Sequence, residues 1–252
     1  MLDKILVALL LSSFAGLSTT FGSVLAFFIK KPTARVLSLG LGFSAGVMIA
    51  VSFLEMLPSA IEVVGEIKTY LAFFGGMLVI SAIDTFIPHE YVGEEAGRYD
   101  FDPELLRSGK LTALGIAIHN FPEGLVTFVG TLVSVELGIS LMIAISLHNI
   151  PEGVSVSLPI FFATKDRKYA FMISFLSGVA EPVGALLGAF VLYQFLNDTV
   201  VGLSLAMVAG IMIFISFDEL IPVAHSQGGG HIASYGLITG MILMVITLLL
   251  LA

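Results

Sequence analysis

Cysteine and tryptophan are both absent from the 252 residues. The missing thiols exclude disulfides and thiolate metal sites together, leaving imidazole, carboxylate, amide and thioether groups as metal ligands. Charge is scarce as well, with Asp, Glu, Lys and Arg making up 12% of the chain, against about 25% in a soluble globular domain. Basic residues are the scarcer sign, 11 against 19 acids for a net charge of −8, so nucleic acid is not an expected partner. Also missing are His-Glu-x-x-His, Gly-x-Ser-x-Gly and the phosphate-cradling Gly-x-x-x-x-Gly-Lys-Ser/Thr. Zincin, serine-hydrolase and ATP-driven chemistry therefore lack their usual parts. The expectation is a protein that is not an enzyme and holds no cofactor, with any transport driven by gradients.

What remains is apolar. Hydrophobic residues make up 57% of the chain and the mean hydropathy is +1.04. A membrane span takes about 20 mostly apolar residues. Eight segments qualify, roughly 5–29, 36–57, 67–88, 111–133, 138–161, 170–195, 200–222 and 233–251. The N-terminal run has no basic n-region and no clear cleavage site, so it reads as a first span rather than a removed signal peptide. The expected fold is an all-α polytopic membrane protein, one transmembrane domain over 1–252, with 89–110 as its longest loop.

Basic residues set the orientation, because Lys and Arg concentrate in cytoplasmic loops. Lys30, Lys31, Arg35, Arg98, Arg107, Lys110, Lys165, Arg167 and Lys168 follow spans 1, 3 and 5, and only Lys4 and Lys68 fall on the other side. This pattern puts the 89–110 loop in the cytoplasm and both termini outside it, in a cell (inner or plasma) membrane.

Two internal similarities stand out. Residues 44–60 (SAGVMIAVSFLEMLPSA) and 208–224 (VAGIMIFISFDELIPVA) agree at nine of 17 positions. Spans 2 and 7 run in opposite senses, so the similarity marks an inverted-topology repeat, arranged as three spans, a central pair and three spans. The central pair carries the second similarity: His119-Asn120-Phe121-Pro122-Glu123-Gly124 and His148-Asn149-Ile150-Pro151-Glu152-Gly153.

Imidazoles and carboxylates at hydrocarbon depth are costly and mark pathways or sites. At helical spacing i and i+4, His119 lies beside Glu123 and His148 beside Glu152, and these residue types suit a divalent metal. Asn120 and Asn149 add amide oxygens. Pro122 and Pro151 withdraw a backbone donor each, and Gly124 and Gly153 permit close helix approach. Glu181, followed by Pro182, is a third intramembrane acid and a candidate ligand. Met48 reads from the residues alone as packing. Glu55, Asp84, Asp218 and Glu219 lie near span ends, as entrance and exit acids of a pathway or as solvated termini. His89 and Glu90 open an acidic cluster in the long loop, suited to weak cation capture or to simple solvation; His225 and His231 are weighed in the same way.

The doubled His-Asn-x-Pro-Glu-Gly, Glu181, Ser-Phe-Leu-Glu-Met-Leu-Pro and Asp-Glu-Leu-Ile-Pro together resemble the Zrt/Irt-like (ZIP) metal transporters, most closely their ZupT/GufA-type prokaryotic branch, over essentially the whole chain. The resemblance implies uptake of zinc, and often iron, manganese, cobalt or cadmium, as transported cargo. It also implies a 3+2+3 inverted-repeat fold, frequently a homodimer, with a binuclear site between spans 4 and 5. Carried over by position, His119, Glu123, His148 and Glu152 resemble the ligands of one metal. Asn120, Glu123, Asn149, Glu152 and Glu181 resemble those of its neighbour, and Met48 falls where span 2 approaches the first. A selective metal channel is the nearer alternative; an intramembrane metal-dependent hydrolase is the more distant one.

Overall fold

A computed structural model describes residues 2–28, 33–86, 103–189, 197–228 and 231–251. Leu, Ile, Val, Phe, Ala and Met fill these stretches, and in a hydrocarbon solvent every backbone N–H and C=O must be paired within the segment, which selects helix. Among the described residues the chain forms eight successive helices. These are α1 (Leu2–Phe27), α2 (Ala34–Val51, continuing through Ser52–Met56 into Leu57–Val64), α3 (Glu66–Phe86), α4 (Pro103–Val133), α5 (Val135–Thr164), α6 (Arg167–Leu187), α7 (Asp198–Ile215, continuing through Ser216–Leu220 into Ile221–Gly228) and α8 (Ile232–Leu251). The protein is a helical polytopic membrane protein. Side-chain caps begin several helices: Thr33 accepts from the Val36 amide, Asp166 from those of Lys168 and Tyr169, and Asn197 from that of Val200, meeting donors a first turn leaves orphaned.

Among the described residues seven helices are long and apolar enough to cross a membrane, all except α4. Arg107, Lys110, His119, Asn120 and Glu123 dilute its apolar content, yet it is helical throughout and packs lengthwise on α5 and α6. It also begins earlier than expected. Residues 103–110, assigned above to the long loop, form its first two turns, because Leu105 and Leu106 are buried in the core and hold that segment on the bundle.

The helices pack as two groups of four, α1, α4, α5 and α6 in one and α2, α3, α7 and α8 in the other. Each group draws on both halves of the sequence, so the packing units are not the repeats themselves. The contacts obey the inverted repeat in detail. Gly124 of α4 lies against the Glu181 backbone of α6, and Gly153 of α5 against that of Thr19 on α1. Gly46 of α2 meets Leu237 of α8, and Gly210 of α7 meets Phe73 of α3. A Cβ at any of these four glycines would collide with backbone, so the helices approach at a distance only glycine allows.

The repeat also explains two irregularities. Ser52–Met56 and Ser216–Leu220 are both π-helical, with the Leu57 and Ile221 amides reaching back five residues to Ser52 and Ser216. Pro58 and Pro222 follow each and cannot donate to the ladder, and a one-turn π bulge absorbs the mismatch. Exposed Leu71, Phe74 and Leu78 on α3 and Leu249 and Leu250 on α8 form outer faces suited to lipid.

Candidate metal centre

The seven residues expected at the site all lie inside the α1/α4/α5/α6 group. His119, Asn120, Asn149, Glu152 and Glu181 are fully buried, and Glu123 and His148 are 3% exposed. The hexapeptides occupy facing turns of α4 and α5, and the His–Glu partnership is exchanged between them. His119 Nε2 is 3.1 Å from Glu152 Oε1, and His148 Nε2 is 3.2 Å from Glu123 Oε1. Helical spacing alone pairs each His with the Glu on its own helix; the packed structure pairs it with the other one.

Both asparagines are oriented by their amide donors. Asn120 Nδ2 donates to the Ser177 carbonyl at 3.2 Å, and Asn149 Nδ2 to that of Ala15 at 3.1 Å. Ala15 and Ser177 are equivalent in the repeat, at the same offset that relates Gly16 to Gly178 and Gly22 to Gly184. With the donors committed to backbone, the amide oxygens are left free. Asn120 Oδ1, Asn149 Oδ1, Glu123 Oε2, Glu152 Oε2 and Glu181 Oε1 are all buried without a partner, as are the Nδ1 atoms of His119 and His148. Such oxygens are costly in an apolar interior, and together with neutral imidazoles they make a donor set suited to a divalent cation.

The symmetry breaks at one position. Glu181 occupies on α6 the place of Thr19 on α1, and its Oε2 accepts from Asn149 Nδ2 at 2.8 Å. The Thr19 hydroxyl is buried and unpartnered, so one half of the site holds a carboxylate where the other holds a hydroxyl. Among the described residues no three His, Asp or Glu side chains stand close enough together to hold a metal ion. The imidazoles and carboxylates stand in pairs across the facing turns of α4 and α5.

The remaining candidates divide. Met48 is fully buried on α2, one turn beyond Ser44, whose hydroxyl donates to the Pro151 carbonyl at 2.7 Å and ties α2 to the second hexapeptide. Glu55 lines a cavity of about 90 Å³ together with Ser59, Glu123, Val126, Leu141 and His148, so it joins the site through an opening. Asp84 and Glu219 are away from that opening and share Arg107, while Asp218 is exposed. His225 Nδ1 is 3.0 Å from the Ile221 carbonyl and His231 lies beside the Tyr235 ring; neither belongs to the site. His89 and Glu90 lie outside the described residues. Arg107 and Ser44 were not singled out from sequence. The segregation of basic residues flagged Arg107 only as a topology marker, and nothing local distinguished Ser44.

Residues 104–248 match the family model described as ZIP Zinc transporter. A protein named zinc transporter ZupT from Clostridium perfringens is 48% identical over 277 aligned residues, covering 99% of this chain and 97% of the relative. The protein of that name from Oceanobacillus iheyensis is 48% identical with both chains fully covered, and that from Campylobacter jejuni 45% identical with 99% and 98% covered. With its paired His–Glu motifs, its helical membrane fold and these full-length similarities, the chain belongs to the ZIP zinc transporter family.

Proposed function

We propose that the protein carries zinc, and other divalent cations with lower preference, across the cell membrane into the cytoplasm. The family is one of transporters rather than hydrolases, which disposes of the enzyme alternative. The observation that carries the reading is the pair of exchanged His–Glu contacts, fully buried and surrounded by amide and carboxylate oxygens that have no partner.

His119, Glu123, His148 and Glu152 are the ligands of one metal position in this reading. Asn120, Asn149 and Glu181, with the bridging Glu123 and Glu152, serve a second. Neutral imidazole and carboxylate favour zinc and its first-row neighbours over magnesium or calcium, which take all-oxygen shells. Each carboxylate lies against an imidazole of the other helix. An arriving cation replaces those contacts with its own. Glu55 and the cavity behind it form the outer approach. Both termini are extracytoplasmic, as the basic residues indicate, the chain is one transmembrane domain, and it works as a homodimer.

A carrier reading is favoured over a channel because the cavity beside the site opens at the Glu55 end, while Arg107 pairs with Asp84 and Glu219 across the helix groups at the opposite end of α4. The packing into two groups of four suggests that α1, α4, α5 and α6 move with the cargo against α2, α3, α7 and α8. Zinc uptake into proteoliposomes tests this. Saturable uptake is expected from the parent protein and background uptake from Glu123→Ala combined with Glu152→Ala. Full uptake by that double variant would remove the site assignment, and flux that never saturated would favour the channel.

A further inference from the structure

Asp84, Arg107 and Glu219 form a cluster that the paired hexapeptides do not include. Arg107 lies on the first turns of α4, about 18 Å along the helix axis from His119. Its Nη2 donates to Asp84 Oδ1 at the end of α3, and its Nη1 is 3.8 Å from Glu219 Oε1 in the π turn of α7. Both acids belong to the α2/α3/α7/α8 group and the arginine to the group that holds the site, so these ion pairs cross the boundary between the two bundles. They are sheltered, with the Arg107 side chain 22% exposed and that of Glu219 8%.

The inverted repeat supplies an internal control. Glu55 and Glu219 occupy equivalent positions in the two π turns. Glu55 keeps Oε2 without a partner and lines the open cavity beside Glu123 and His148. Glu219 instead accepts from the Ser108 hydroxyl of α4 and faces the Arg107 guanidinium. Val51 and Ile215 are equivalent in the same way. Val51 lines the cavity, whereas Ile215 presses onto Gly115 of α4, where a Cβ would strike its side chain. Between Arg107 and His119, Ser108 and Thr112 continue the face of α4 that bears His119, and the Thr112 hydroxyl is buried without a partner. From Arg107 toward His119 that face of α4 passes from Ser108 and Thr112 to Gly115 and Ile116, where Ile215 of α7 packs over it.

We propose that Arg107 is the gating residue of the inner end. Its guanidinium binds the Asp84–Glu219 acid pair across the boundary and latches the two helix groups in the arrangement that has the Glu55 cavity. The assignment of this end as the exit rests on the import reading above; the latch itself does not. Releasing Arg107 frees α4 from α3 and α7, uncovers Thr112, and closes the Glu55 side as the groups shift together.

Thiol labelling tests this without relying on transport, and the chain's lack of cysteine leaves no background. Single cysteines are placed at Thr112→Cys on that buried face of α4 and at Ser59→Cys in the open cavity, and the purified full-length protein is labelled with a water-soluble maleimide in zinc-free detergent. A partly exposed ion pair of this kind shifts a two-state equilibrium by up to about fivefold. Adding Arg107→Gln is expected to raise Thr112→Cys labelling by about that factor and to lower Ser59→Cys labelling, while Arg107→Lys stays near the parent. If Arg107→Gln does not purify as a single species, Asp84→Asn, which removes the nearer partner, is expected to give the same opposed changes. Unchanged labelling at Thr112→Cys, or a rise at both reporters together, overturns the latch. Loss of zinc uptake in the parent with the opposed labelling changes intact would overturn the import reading alone.

Discussion

The two groups of four helices are built by the same packing rule and filled with different chemistry. In each, glycines of one helix lie on carbonyls of the next, at positions that the inverted repeat carries from one half of the chain to the other. The α2/α3/α7/α8 group packs Leu41, Met48, Ile211 and Met212 into its interior. The α1/α4/α5/α6 group encloses two histidines, two asparagines and three glutamates. Close glycine packing is therefore not a signature of the site. It is the means by which either group coheres in a solvent that offers no hydrophobic drive between helices. Against that common frame, the clustering of buried imidazoles, amides and carboxylates distinguishes the α1/α4/α5/α6 group, whereas the other group, among the described residues, buries the single acid Glu219 beside Arg107.

The largest effect should separate the two groups by function. Glu123→Ala with Glu152→Ala removes both carboxylate partners of the exchanged pairs and is expected to bring zinc uptake to background. Met48→Leu in the other group should leave most of it, and equal losses would erase the distinction. Stability comes next. Gly124→Leu drives a side chain into the Glu181 backbone and Gly46→Leu one into that of Leu237. Each is expected to cost about 3 kcal/mol, read as a lower thermal midpoint of the purified protein. Similar losses would show that the two groups cohere by one rule, whereas a tolerated Gly46→Leu would confine that rule to the site.

A third prediction concerns protons. Ligand imidazoles bind metal only when neutral, so zinc competes with protons around the reference histidine pKa of about 6.5. Zinc affinity measured by titration calorimetry should fall as pH drops from neutral toward 5. Affinity flat over that range would argue against His119 and His148 as ligands. The smallest effect tests the broken symmetry. Glu181→Thr makes α6 match α1 at this position and should weaken zinc binding by about tenfold, by analogy with the loss of an outer carboxylate. Thr19→Val, on the opposite side, should change it less. The reverse order would reverse the assignment of Glu181 as the asymmetric ligand.

Much of this was legible along the chain. The hydrophobic runs located the helices, because backbone pairing in a membrane leaves helix as the solution for such runs. The doubled hexapeptide announced the site, because His, Asn and Glu are too costly at that depth to be incidental. The exchange of partners was not legible. Spacing places His119 and Glu123 on one face, but which carboxylate meets the imidazole depends on how closely α4 and α5 approach. The relation between α1 and α6 was also obscure in sequence, since it survives mainly as glycines and small residues around a Thr19–Glu181 difference. Residues 103–110 read as loop because they are polar, and became helix because Leu105 and Leu106 reach the core.

The chain by itself determined the solvent, the helices and the residue types gathered at the candidate site, all of which follow from composition and one-dimensional spacing. Only the tertiary structure decided that the packing units cut across the repeats. It alone decided that each histidine answers to the other helix's glutamate, and that one of two equivalent π-turn acids lies open while its mate is held by Arg107. These depend on distances between segments far apart in sequence, which no local pattern encodes.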